Sequence, residues 1–78
     1  MGRGESEAAA AELHNVQVAA SAASAEGIVG TVTEVNDEQI EADPDQIDKN
    51  AVGSYLKNDT EWKYTVTNKG VVAQGDKV

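Results

Sequence analysis

Seven carboxylates lie between residues 34 and 48, and they are the groups in this sequence best suited to bind a metal ion: Glu34, Asp37, Glu38, Glu41, Asp43, Asp45 and Asp48. Ca²⁺ takes about six to eight oxygen ligands, and carboxylates supply them well. The spacing Asp43-x-Asp45-x-x-Asp48 is not that of an EF-hand loop, which has glycine at its sixth position and a distal glutamate. We therefore interpret residues 34–48 as a solvated acidic surface and leave weak Ca²⁺ binding as the alternative.

The sequence has few of the residue patterns that enzyme active sites require. The chain has one histidine, His14, and no cysteine, so it lacks the usual nucleophile–base pairs. No second ligand stands at helical spacing from His14, which favours a surface or helix-contact role. The segment Gly27-Ile28-Val29-Gly30 lacks the third glycine of a phosphate-binding loop. We expect no catalytic, cofactor-binding or metal-binding residue and no enzymatic activity.

The length and net charge of the chain limit its number of domains and its classes of partner. The chain has 78 residues and a formal net charge of −8, which predicts one small domain. This charge disfavours nucleic acid and anionic membranes as partners, because both attract Lys and Arg. No apolar run reaches the length of about 18 residues that spans a bilayer, and residues 1–7 do not resemble a signal peptide.

The first predicted element is a helix over residues 5–26. Residues 8–11 are alanines, and Ser6 is a candidate N-cap. One apolar stripe follows helical spacing and consists of Ala9, Leu13, Val16, Ala20 and Ala23. Gly27 is the candidate C-terminal stop. Because the stripe is made of small residues, the helix can approach another surface closely, and a second face could contact neighbouring copies.

The remaining residues predict a small sheet with a helix inserted. Residues 28–42 form a strand and turn region, with the strand near 28–35 and a short returning strand at 39–42. Residues 44–56 show helical spacing, with Asp43 as cap and Pro44 at the first position. Residues 61–74 predict a β-hairpin that turns at Asn68-Lys69-Gly70, followed by a short tail from Gly75.

We expect residues 1–78 to be a single α+β domain: a long N-terminal helix packed on a small antiparallel sheet with a short inserted helix. Trp62, Tyr64 and Val66 alternate along the first strand of the hairpin, so one face of that strand should lie in the core. The alternative is that Trp62 and Tyr64 form an exposed aromatic patch.

Two stretches of the sequence resemble the type IV pilin and pseudopilin family. Residues 7–19, Glu-Ala-Ala-Ala-Ala-Glu-Leu-His-Asn-Val-Gln-Val-Ala, are similar to the part of the first pilin helix that follows its hydrophobic half. Residues 55–56, 61–67 and 70–75 resemble the closing hairpin of short pilins. Together the two matches cover about half of the chain in the family's order.

The resemblance implies a filament subunit whose N-terminal helix packs in the filament core and whose globular part faces outward. It implies copies of itself or other pilins as partners, an extracellular cell-surface filament, and membrane contact only through a hydrophobic segment. The family's leader, cleavage site, hydrophobic segment and its acidic residue are missing before Arg3, and the C-terminal Cys pair is missing too. We therefore expect a truncated, soluble and monomeric form of the subunit.

Three functions remain as hypotheses. The first is the head domain of a pilin that polymerises through its N-terminal helix. The alternatives are a pseudopilin of a type II secretion system and a small acidic protein-binding module. A capped start to the first helix would favour the binding module, whereas a small-residue face that continues to residue 5 and beyond would favour a filament subunit.

Overall fold

The structure, a computed structural model, describes residues 3–43 and 45–78, with side chains from Ser6 onward. One long helix, α1 (Arg3–Glu26), precedes three strands: β1 (Val35–Gln39), β2 (Trp62–Val66) and β3 (Val72–Lys77). A 3₁₀ helix, Val52–Tyr55, lies between β1 and β2. The strands form one antiparallel sheet in the order β1-β2-β3, so the fold is α+β with β2 at its centre.

Helix α1 contacts the rest of the protein through the predicted stripe. Val16, Ala20 and Ala23 are buried, and Ala9 and Leu13 pack partly buried against the same core. The helix begins before Ser6, so Ser6 lies inside it and is not the N-cap. It ends at Glu26 as predicted, although Gly27 does not adopt the left-handed conformation; a Cβ there would lie 2.5 Å from the side chain of Asn50.

The predicted hairpin is present, and it is longer than expected. Trp62, Tyr64 and Val66 are buried on the face of β2 that meets the helix. This confirms the core interpretation over the exposed aromatic patch. Gly70 in the turn has a φ of 85°, which glycine adopts without the steric cost of a side chain. The tail predicted from Gly75 onward was wrong, because β3 continues to Lys77 and the Val78 amide donates to the Glu61 carbonyl.

The strand predicted near 28–35 lies later in the chain. Residues 28–34 form a turn and an extended connection, and the strand is Val35–Gln39, so residues 39–42 do not form a second strand. Gly30 turns the backbone at a φ of 86°. Asn50 then fixes the connection, since its amide group bonds the Ile28 N–H and the Thr31 carbonyl at 3.1 and 2.8 Å.

The helix predicted over 44–56 was also wrong, apart from its last turn. Only Val52–Tyr55 is helical, as a 3₁₀ turn, while Pro44 lies outside the described residues. The carboxylates of Asp43 and Asp48 accept hydrogen bonds from the backbone two residues onward, at Asp45 and Asn50. Such local side-chain bonds compete with helical hydrogen bonds, so the apolar spacing is overridden.

Trp62→Ala tests the position of the core. Trp62 is 8% exposed, and the Lys77 Nζ lies 5.4 Å from the centre of its ring. We expect the substitution to lower the free energy of unfolding by about 3–5 kcal/mol, because it leaves a large cavity. Urea unfolding followed by circular dichroism measures this, with the exposed Thr65→Ala as control. Equal stabilities of the two variants would contradict the core assignment.

Candidate functional site

The acidic run does not form a metal centre in the described part of the chain. No group of three or more His, Cys, Asp or Glu side chains among the residues described is arranged to hold a metal ion. Asp43 and Asp48 instead bond local backbone amides, and Asp48 also accepts from the Thr33 hydroxyl at 3.1 Å. The residues after Val35 in β1 are exposed. These carboxylates therefore shape loops and form an acidic surface.

This arrangement predicts the response to Ca²⁺. We expect no change in Trp62 fluorescence up to millimolar Ca²⁺, because the residues that the structure describes include no group of three or more His, Cys, Asp or Glu side chains arranged to hold a metal ion. A fluorescence titration with Mg²⁺ as the matched divalent control measures this. A saturable change with Ca²⁺ alone would contradict the solvated-surface interpretation.

The single histidine lies at the surface, on one flank of the helix. His14 is exposed on α1 and lines a groove beside the helix. The groove lies between one flank of α1 and residues 54–61. This position agrees with the surface role expected for His14.

One well-connected polar group was not singled out from the sequence, the carboxylate of Glu12. It accepts hydrogen bonds from the backbone amides of Glu61 and Trp62 at 2.8 and 3.0 Å. It also accepts from the Tyr64 hydroxyl at 3.0 Å. Glu12 therefore joins α1 to the start of β2 and to the most deeply buried aromatic ring.

Gln74 extends this network from β3 back to the helix. Its Nε2 donates to the Tyr64 hydroxyl at 2.9 Å and to the Ala9 carbonyl at 2.8 Å. We call Glu12, Tyr64 and Gln74 the Glu12 network. Its three side chains come from α1, β2 and β3, so it fixes the position of the helix along the sheet. The Glu12 carboxylate is occupied by protein donors, which makes it a structural group.

The environment of Tyr64 changes its ionisation. The pKa of Tyr64 is raised to about 12, chiefly because burial disfavours the phenolate; the Gln74 donor lowers it, and Glu12 raises it. The pKa of Tyr55 is also raised, by burial and then by the charges of Glu26 and Asp48. Both tyrosines are therefore neutral at physiological pH and act as hydrogen-bond donors.

The exposed face of α1 differs from the rest of the surface in its charge. Between Ala8 and Ala25, Glu12 is the one Asp, Glu, Lys or Arg residue, and its carboxylate is turned inward to the Glu12 network. The exposed side chains there are small or neutral: Ala8, Ala10, Ala11, His14, Asn15, Gln17, Val18, Ser21 and Ala25. We call this the outer helix face. It suits close contact with another protein surface.

The chain matches no known protein family model, and no curated protein or solved structure matches it. Within the described residues, no helix is long and apolar enough to cross a membrane. The candidate site is therefore defined by its own geometry.

Glu12→Gln tests whether the network holds the helix on the sheet. We expect it to lower the free energy of unfolding by about 2–3 kcal/mol, because the amide replaces a charged acceptor with a group that also carries N–H donors. Glu7→Gln makes the same change at an exposed position of α1 and should be nearly neutral. Urea unfolding followed by Trp62 fluorescence compares them. Equal stabilities would show that the network is not stabilising.

The raised pKa of Tyr64 predicts a loss of stability at alkaline pH. The unfolded chain ionises this tyrosine near pH 10.0, whereas the folded chain keeps it neutral up to about pH 12. The stabilisation is thus complete below pH 10 and is lost as the pH rises toward 12. Tyr64→Phe cannot ionise there, so its stability should fall less steeply. Identical pH profiles for the two proteins would contradict the assignment.

Proposed function

We propose that this chain is the head domain of a type IV pilin-like filament subunit and that it polymerises through its N-terminal helix. The observation that carries the proposal is the neutral outer helix face. A protein with a net charge of −8 repels its own copies. Copies therefore associate most readily through surfaces without acidic groups, and the outer helix face is such a surface.

Two features of the fold support this assignment. The helix is 24 residues long in a molecule whose longest dimension is 40 Å, so it runs along nearly the whole length. The Glu12 network fixes this helix to the sheet, and the head would therefore keep a defined orientation when the helix packs against others. The resemblance of residues 7–19 to the pilin helix agrees with both features.

The alternative functions belong to two classes. A pseudopilin of a type II secretion system would use the same helix face, and nothing in this fold distinguishes it from a pilin. A small acidic binding module would use the acidic surface of residues 34–48 toward a basic partner. We favour the filament subunit because α1 is already helical at Arg3, before the candidate cap Ser6. The subunit is a structural protein without catalysis.

Ala10→Glu tests the proposal. Ala10 is exposed, so the variant should fold normally, yet it places a charge in the outer helix face. In source cells that carry the variant gene, we expect filament yield in the sheared surface fraction to fall at least about tenfold, since like charges in a close contact cost several kcal/mol. Thr65→Glu adds the same charge on the exposed side of the sheet and should leave the yield unchanged. Normal filaments with Ala10→Glu, or no chain in the surface fraction of the parent cells, would contradict the proposal.

A further inference from the structure

One asparagine belongs to a modification motif that the proposed function does not use. Of the five asparagines in the sequence, only Asn58 is followed two residues later by Ser or Thr, in Asn58-Asp59-Thr60. Asn-x-Ser/Thr, with x other than proline, is the acceptor motif for N-linked glycans, which lie in surface loops of secreted proteins. A motif of three residues also arises by chance, so its value depends on where the fold places those residues.

The fold places the motif in an irregular segment at the surface. Residues 56–61 connect the 3₁₀ helix Val52–Tyr55 to the start of β2 and contain no helix or strand. Asn58 is exposed in this segment and lies on the side of the groove opposite α1. A glycan on Asn58 would therefore start from the head and not from the outer helix face.

The two neighbours of Asn58 in the motif take part in the hydrogen bonding of the fold, whereas Asn58 does not. The Asp59 carboxylate accepts from the Ala42 amide at 2.8 Å, and the Thr60 hydroxyl accepts from the Ile40 amide at 3.0 Å. The Asn58 side chain makes no hydrogen bond to any residue that the structure describes. Its amide group is therefore available for modification, and a substitution there removes no side-chain hydrogen bond.

We propose that Asn58 is the attachment site of an N-linked glycan. In the transfer, Nδ2 of Asn58 forms a bond to the anomeric carbon of an oligosaccharide carried on a lipid phosphate. The bond between that carbon and the phosphate oxygen breaks, the lipid phosphate leaves with the electron pair, and one amide proton passes to a base of the transferase. The inference rests on one part of the proposed function, the exposure of the head outside the cell.

The fold also determines when the transfer can occur. The hydroxyl two residues after the asparagine distinguishes the motif, so a transferase that recognises the motif must contact it. In the folded chain, Thr60 is 3% exposed, and its hydroxyl is bonded to the Ile40 amide and the Trp62 carbonyl. The transfer therefore precedes the packing of Thr60 into the fold, and the exposed Asn58 then carries the glycan on the finished surface.

Intact mass spectrometry of the chain from the surface fraction of source cells tests the site. We expect the parent chain to exceed its sequence mass by an oligosaccharide and Asn58→Gln to lose the whole increment, because glutamine is not an acceptor. Asn36→Gln makes the same change at an exposed asparagine outside the motif and should keep the increment. Fragmentation of the parent chain should place the added mass on Asn58.

The other outcomes separate this inference from the proposed function. A parent chain at its sequence mass, or an increment that remains in Asn58→Gln, overturns the inference. Filaments built from the unmodified chain reject the glycan and retain the proposed function. A glycan on Asn58 in a surface chain that forms no filaments retains the inference and rejects the filament. Absence of the chain from the surface fraction contradicts both.

Discussion

The position of α1 on the sheet depends on one carboxylate. The buried stripe of α1 consists largely of alanine and valine, so it buries little apolar area per turn and specifies the position of the helix weakly. Glu12 supplies the missing specificity, because its oxygens accept from two successive backbone amides of the segment entering β2 and from Tyr64. Gln74 closes the network from the third strand. In this small domain without disulfides, these hydrogen bonds fix the position of the helix on the sheet without a larger apolar core.

The Glu12 carboxylate also helps to explain why one face of the helix is neutral while the rest of the surface is acidic. Its charge is directed inward, so the long helix presents a neutral face while the strands and loops that follow carry most of the acids. In the proposed filament, the acidic strands and loops disfavour random association, and the neutral helix face permits close packing at one surface. Fold and proposed assembly are connected in this way: the network that holds the helix also keeps Glu12, the one acidic group between Ala8 and Ala25, away from the contact face.

Segments with a regular apolar repeat were predicted well from the sequence. Segments whose backbone is set by local side-chain hydrogen bonds were not. The stripe from Ala9 to Ala23 and the alternation from Trp62 to Val66 repeat over several turns or residues, so burial follows the pattern. Residues 44–56 have helical spacing too, but Asp43 and Asp48 bond their own loop, and this local chemistry outweighs a weak apolar pattern. The role of Glu12 was not predicted, because an acid within an alanine-rich helix resembles an ordinary surface residue. The one sequence feature that could have indicated this role is that Glu12 stands alone among uncharged residues.

The central claim is that the outer helix face of α1 is buried between copies in a filament. Electron cryomicroscopy of filaments sheared from the source cells tests it most directly. The account predicts density for this chain with Ala10, Val18 and Ser21 in contact with neighbouring helices and the acidic surface of residues 34–48 facing solvent. Filaments that lack this chain, or in which the outer helix face is exposed to solvent, would contradict it.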